Sequence, residues 1–218
     1  MNYFEIADRL DECVDAFVAK GTSIRRPGGC HECATLPKDG SPPDVLKVKD
    51  ITSPVGVVSH TGWGYGVVAV ELLQFLGDDA AQNLKLGRLV DPTGEIIEEY
   101  RTFVGVERVV LRGDQTSLHR ICKSCGALAY TYLPRASPYV TAPQVASCRS
   151  IYAIEFMQLM VNETIRDRIG KRWSDLITFY EVPVLATPRD GLPVDFGLWP
   201  NEEQLIDYKP NLPKWVKR

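Results

Sequence analysis

The chain has 218 residues, of which 44% are hydrophobic and 24% charged, an ordinary globular composition that excludes wholesale disorder. Its 25 Lys+Arg against 28 Asp+Glu leave a net charge of −3, which argues against a protein that coats nucleic acid through bulk charge. No apolar run approaches the ~18 residues of a membrane span. The first ten residues carry Glu5 and Asp8 where a secretory signal would have a basic start and an apolar stretch, so the expected location is the cytoplasm. A chain of this length buries about 70% of its unfolded surface as one domain and needs neither metal nor disulfide for a core. We expect one domain over 1–218, or a knuckle-bearing part over 1–133 followed by a helix–strand part over 144–218.

Taken in chain order, residues 4–19 place Ile6, Leu10, Cys13, Val14, Phe17 and Val18 at helical spacing and predict an amphipathic helix, although Tyr3 to Ile6 also reads as a short strand. The other side of that helix carries Glu5, Asp8, Asp11, Glu12 and Asp15, a solvated face or a docking surface for a basic partner. Residues 21–44 are loop, rich in Gly, Pro and charge. Residues 45–58 hold short β-branched runs broken by Pro54, read as strands with an irregular joint. Gly62-Trp63-Gly64-Tyr65-Gly66 precedes a helical run over 67–76. Val67 stands where a dinucleotide fingerprint needs glycine, and no P-loop lysine follows, so the glycines read as room for Trp63 and Tyr65 to pack.

Asp91-Pro92-Thr93-Gly94 is a turn by its chemistry. Strands are predicted over 103–111, 127–133 and 176–184. A second amphipathic helix is predicted over 150–169, through Ile151, Ile154, Met157, Val161, Ile165 and Ile169. From Pro183 to the end, six prolines argue against another long helix and predict a wrapping segment pinned by Phe196, Trp199 and Trp215. The fold class is therefore α+β, a mixed or antiparallel sheet with amphipathic helices.

Six cysteines are present, and four form two Cys-x-x-Cys pairs, Cys30-His31-Glu32-Cys33 and Cys122-Lys123-Ser124-Cys125, the second followed by Gly126. Under reducing conditions, thiols at this spacing are metal ligands more often than structural disulfides. Two thiolates on one tight turn occupy two corners of a tetrahedron, and a second turn supplies the other two. The expected centre is an embedded zinc-knuckle or zinc-ribbon-like site in which Cys30, Cys33, Cys122 and Cys125 hold a structural Zn2+. Eighty-eight residues separate Cys33 from Cys122, against roughly 15–20 in a compact ribbon, but closure entropy grows slowly with length. Two pairs that never meet, or a thioredoxin-like redox pair, are the alternatives. Cys13 reads as core, and Cys148 as core or half-exposed ahead of the second helix.

No catalytic set emerges. His31 and His119 lie near the cysteine pairs and read as alternative metal ligands, as donors to thiolate sulfur, or as exposed loop histidines. Gly-x-Ser-x-Gly and His-Glu-x-x-His are absent from the sequence. His31-Glu32-Cys33 falls short of the zinc-deaminase signature, because Arg120-Ile121 precede the second pair where that signature has proline.

The segment Pro27-Gly28-Gly29-Cys30-His31-Glu32-Cys33, together with Cys122-Lys123-Ser124-Cys125-Gly126, resembles the bacterial double-CxxCG-motif proteins, some of which are immunity proteins of polymorphic toxin systems. The resemblance covers about residues 25–184, departs at Ala34 where the family has glycine, and does not reach the N-terminal helix or the proline-rich tail. It implies a cytoplasmic protein without chemistry of its own that binds and occludes a cognate toxin. Its four paired cysteines would be the family's motif cysteines. Nucleic acid and membrane are not expected as partners. The rivals are a zinc-ribbon nucleic-acid module and an enzyme with an unrecognised site. If the N-terminal carboxylates fill a basic toxin cleft, changing Asp8, Asp11 and Asp15 to Lys slows association and weakens its salt dependence. Undiminished protection by that variant would remove the surface from consideration.

Overall fold

The computed structural model describes residues 2–8, 28–33, 35–48, 57–60, 65–114, 116–132, 138–155, 158–192 and 194–199. The helix expected over 9–19, with Cys13, and the aromatics Trp63 and Trp215 lie outside these residues. In chain order the elements are β1 (Tyr3–Asp8), β2 (Val45–Lys47), β3 (Val58–His60), β4 (Gly66–Ala69), α1 (Val70–Leu76), α2 (Asp78–Asn83) and β5 (Leu84–Val90). There follow β6 (Ile96–Gly105), β7 (Arg108–Val109), β8 (Thr116–Ile121), β9 (Leu128–Tyr132), β10 (Val140–Thr141) and a 3₁₀ turn over Ala142–Val145. The chain continues through β11 (Ile151–Ile154), β12 (Gln158–Asn162), α3 (Glu163–Trp173), β13 (Ile177–Val182) and β14 (Val184–Leu185).

Ten of these strands build two five-stranded sheets, ordered β13-β1-β12-β11-β7 and β2-β5-β6-β4-β3, and the other four form the pairs β8-β9 and β10-β14. Both five-stranded sheets are mixed: β7 with β11 and β2 with β5 run parallel, and their other pairs run antiparallel. The expected α+β class is what the molecule shows. The first sheet draws strands from both ends of the chain, because β1 lies between β12 and β13. Phe4, Ile6, Ile151, Ala153, Leu159 and Val161 from one sheet meet Val58, Val68 and Phe103 from the other. Leu72 and Leu76 of α1 and Ile165, Ile169 and Trp173 of α3 close this core. The outer face of each sheet is also covered, by clusters around Tyr152 and Met160 and around Leu36, Leu89 and Phe196.

That double coverage explains two corrections. The N-terminal residues form a strand over Tyr3–Asp8, not the start of a helix. Tyr3, Phe4, Glu5 and Ile6 are buried in succession, because alternate residues face different clusters. The helix predicted over 150–169 is instead β11, β12 and only then α3. A segment apolar on both faces satisfies helical spacing and strand pairing alike, and the pairing of β11 with β12 decides. The helix begins at Asn162, whose side chain accepts the Ile165 N–H at 2.9 Å, and it buries Ile165, Ile169 and Trp173 along one stripe.

Elsewhere the sequence reading and the structure agree more closely. The Asp91 turn joins β5 to β6, its carboxylate accepting from Thr93 Oγ1 and from the N–H groups of Thr93, Gly94 and Glu95. Tyr65 is fully buried, as expected, while residues 61–64 lie outside the described residues; Gly66, in β4, makes room for Phe103, since a Cβ there would lie 2.2 Å from that ring. The strand expected over 103–111 is divided, because the chain leaves the second sheet after β6 and joins the first as β7. Among the described residues no helix is long and apolar enough to cross a membrane.

Beyond β7 the chain makes an excursion that carries β8 and β9. It leaves at Arg112 and returns at Tyr139, where the two backbones exchange N–H···O bonds of 2.9 Å in each direction. Arg112 is fully buried there. Its Nε donates to Asp190 Oδ2 at 2.7 Å, and its Nη2 donates to Asp190 Oδ1 at 2.5 Å and to the Leu192 carbonyl at 3.1 Å. The Tyr139 hydroxyl accepts the Arg189 N–H at 3.0 Å. Together these groups tie the C-terminal segment to the root of the excursion, with Phe196 under the guanidinium at 4.9 Å.

Burial opposes the Asp190 charge, but the hydrogen bonds from Arg112 and the Leu192 amide outweigh it and hold the carboxyl below its usual range. Asp190→Ala removes the carboxylate that compensates a buried cation and should cost about 3–5 kcal/mol in denaturant unfolding. A carboxyl with a depressed folded pKa stabilises above its unfolded value, about 3.9, and that contribution is lost as pH falls through the folded value. The stability gap between the native chain and Asp190→Ala should therefore narrow below about pH 4. A gap that stays constant from pH 7 to pH 2 would contradict this account of the pair.

Candidate metal centre

The first knuckle sits on the body of the protein. Its Cys30 N–H donates to the Thr35 carbonyl at 2.8 Å, and Leu36, fully buried, anchors the following residue in the cluster on the outer face of the second sheet. Arg108 holds the next loop by donating to the Pro37 carbonyl at 2.6 Å and to the Lys38 carbonyl, and Lys85 Nζ donates to the Asp39 carbonyl at 3.0 Å. The second knuckle sits at the turn of the β8–β9 hairpin. Its Cys122 N–H donates to the Ala127 carbonyl at 2.8 Å, the same five-residue closure as in the first knuckle. The Gly126 N–H returns to the Cys122 carbonyl, and Gly126 takes φ +68°, a left-handed conformation that suits glycine. The strand expected over 127–133 returns from this knuckle as β9, but the strand that leads into it is β8, over Thr116–Ile121, and not the run over 103–111. Ala34, at the matching place in the first knuckle, lies outside the described residues.

The two knuckles meet. The sulfurs of Cys30, Cys33, Cys122 and Cys125 all lie within 4.8 Å of one another. Cys30 Sγ is 3.7 Å from Cys122 Sγ, and Cys33 Sγ is 3.5 Å from Cys125 Sγ. A tetrahedron with metal–sulfur bonds of ~2.3 Å has edges of about 3.8 Å, so this spacing suits an ion at the centre. It is far from the ~2.05 Å of a disulfide, and all four thiols are free. Cys30 and Cys122 are buried, whereas Cys33 and Cys125 are half-exposed, so the cluster has an inner and an outer edge.

The local electrostatics favour a cation. The N–H groups of Cys33 and Glu32 point at Cys30 and lower its thiol to about 6. Burial pushes Cys125 up to about 12 and raises Cys122 as well. The turn thus prepares the Cys30 thiolate while burial resists ionisation of Cys122 and Cys125, a conflict that a bound dication removes by pairing with the sulfurs. Around the cluster, the Cys122 thiol donates to Glu32 Oε2 at 3.5 Å. Hydrogen bonds from Ser124 and Cys122 keep the Glu32 carboxyl below its usual range. His31 Nε2 lies 3.5 Å from Ser124 Oγ and does not join the sulfur cluster. The sequence reading missed Glu32 and Ser124 as neighbours of the sulfurs, although both stand inside the Cys-x-x-Cys loops. The side chains of His60 and His119 lie outside the described residues.

The other candidate residues fare differently. Glu5 is only 9% exposed, on a strand flanked on both sides, so it is withdrawn from the acidic docking face. The Asp8 side chain and the whole of Asp11, Glu12 and Asp15 lie outside the description. Cys148 is exposed, with φ +52°, and precedes β11 where the sequence predicted a helix. A shallow groove of about 310 Å³ lies between α3 and β13, lined by Arg166, Asp167, Gly170, Lys171 and Phe179. Its single carboxylate, Asp167, is engaged by Arg166 at 2.6 Å. No family model matches the chain, and no curated protein matches it.

A shared centre makes the four cysteines interdependent. Cys33→Ser or Cys125→Ser should lower bound metal, measured by elemental analysis, and the melting temperature together. Full metal content with an unchanged melting point in either variant would show that the two pairs act separately.

Proposed function

We propose that this chain is a zinc-stapled binding protein of the cytoplasm, which neutralises a bacterial toxin by binding and occluding it. The observation that carries the binding half is the composition of the centre. Four thiolates complete a tetrahedral shell and leave no position for water or substrate, so an ion held there shapes the protein and does not serve a reaction. Zinc is the ion of choice among those that thiolates hold, since it accepts tetrahedral sulfur without redox chemistry of its own. When bound, it supplies a cross-link between the sheet-anchored loop and the β8–β9 hairpin. The toxin half rests on the resemblance of the two Cys-x-x-Cys segments to the double-CxxCG proteins. With Glu5 withdrawn, Asp8, Asp11, Glu12 and Asp15 are the N-terminal carboxylates left to test as a docking surface.

Protein purified without chelators should hold one zinc per chain by elemental analysis. Capture of the tagged protein from its own source cells, with and without nuclease treatment, should return one stoichiometric protein partner in both arms. That partner, expressed alone, should arrest growth, and co-expression of this chain should restore it. Recovery of nucleic acid, or of partners lost on nuclease treatment, would favour a zinc-ribbon nucleic-acid module and end the immunity reading.

A further inference from the structure

We infer that the four-sulfur centre is also an oxidation-triggered staple, in which peroxide joins Cys30 to Cys122 and Cys33 to Cys125 and expels the metal. The metal-release half rests on the zinc reading above. The pairing half rests on sulfur geometry alone.

Across the two knuckles Cys30 Sγ lies 3.7 Å from Cys122 Sγ and Cys33 Sγ 3.5 Å from Cys125 Sγ, each pair 92 residues apart in sequence. The sulfur–sulfur distances across the knuckles, 3.7 and 3.5 Å, must shorten by about 1.5 Å to reach disulfide length. Both turns are closed by their own backbone bonds, Cys30 N–H to the Thr35 carbonyl and Cys122 N–H to the Ala127 carbonyl. Rotation of the cysteine side chains can therefore close the gap while the turns stay intact.

Exposure sets the order. Cys33 and Cys125 form the half-exposed edge, and Cys30 and Cys122 the buried one. An accessible cysteine beside a resolving cysteine is the arrangement that oxidation exploits. The thiolate of Cys33 or Cys125 attacks one peroxide oxygen, the O–O bond breaks, and a sulfenic acid forms with release of hydroxide. The sulfur 3.5 Å away then attacks that sulfenic sulfur, the S–O bond breaks, and a second hydroxide leaves. Each disulfide gives two electrons to one peroxide. After both pairs have reacted the centre has consumed two peroxides and lost its thiolate charge, so a dication has no thiolate left to hold it and only the Glu32 carboxylate nearby. The hairpin stays tied to the loop, now by covalent bonds.

The test uses the zinc-loaded full chain carrying Cys13→Ser and Cys148→Ser, which removes the two cysteines outside the centre. Hydrogen peroxide is added stepwise, zinc release is read with a chromogenic chelator, and remaining thiols are alkylated before non-reducing tryptic mapping. Trypsin cuts after Lys123 and so separates Cys122 from Cys125, and both should be found on the fragment that carries Cys30 and Cys33. Fragmentation of that species should give the pairs 30–122 and 33–125. Zinc release should be complete at two peroxides per chain. The oxidised, metal-free chain should melt above the reduced chain stripped with chelator, and a thiol reductant plus zinc should restore the starting state. Linkages of Cys30 to Cys33 and Cys122 to Cys125, or sulfinic acids without disulfides, would overturn the pairing. Zinc retained after all four thiols are consumed would overturn the release. A chain that takes up no zinc at the outset would end the zinc reading and with it the release half, while the linkage map of the same sample still decides the pairing.

Discussion

A guanidinium sealed from water costs several kcal/mol unless a carboxylate and further acceptors surround it. Arg112 is such a group, and its demand for Asp190 organises the molecule around it. The ion pair draws the C-terminal segment onto the outer face of the second sheet, where Leu192, Phe196 and Leu198 complete a cluster with Leu36 and Leu89. The same residue exchanges backbone bonds with Tyr139, so the β8–β9 excursion leaves and rejoins the body at one point. Leu36, in that cluster, anchors the first cysteine knuckle. One buried charge pair thus supports the root of the hairpin and, through the cluster, the loop that its tip meets.

The sulfur cluster is the second point of attachment. Relative to the 15–20-residue spacing of a compact ribbon, closing an 88-residue gap in a flexible chain costs only about 1–2 kcal/mol more. A structural zinc ion contributes an apparent ~10–16 kcal/mol in small peptides. A metal term of that size is several-fold larger than the extra closure term, so the long insertion is no obstacle to a shared site. Most of that closure is also made by the sheets, because β7 joins the first sheet and places Arg112 before the hairpin begins. The knuckles need only hold the hairpin tip, and with Arg112 at the root the hairpin is held at both ends.

The electrostatics of the centre follow from its position at the edge of the body. Backbone N–H groups of the first turn lower Cys30, while burial raises Cys122 and Cys125. Such a set is ill suited to remain as four bare thiols and well suited to a cation or to covalent pairing. Glu32 and Ser124 lie beside the sulfurs and present polar groups at the rim. The binding reading takes this as a rigid scaffold element whose work is to hold a surface in shape.

The Cys-x-x-Cys spacing and the glycine after the second pair determined the knuckles by themselves, because turn chemistry is local, whereas β8, over Thr116–Ile121, was not legible in advance. The Asp91 turn and the strand before the C-terminal segment were legible for the same reason. Only the tertiary structure decided that Tyr3–Asp8 is a strand and that 151–162 is a strand pair. Both segments are apolar on two faces, and helical and strand periodicities coincide there until a pairing partner is present. It also decided that Glu5 is buried, since a carboxylate's exposure depends on what packs over its strand. The meeting of the two knuckles lay between these cases: the ligand types were written in the sequence, and their convergence across 88 residues depended on sheets that no local pattern describes.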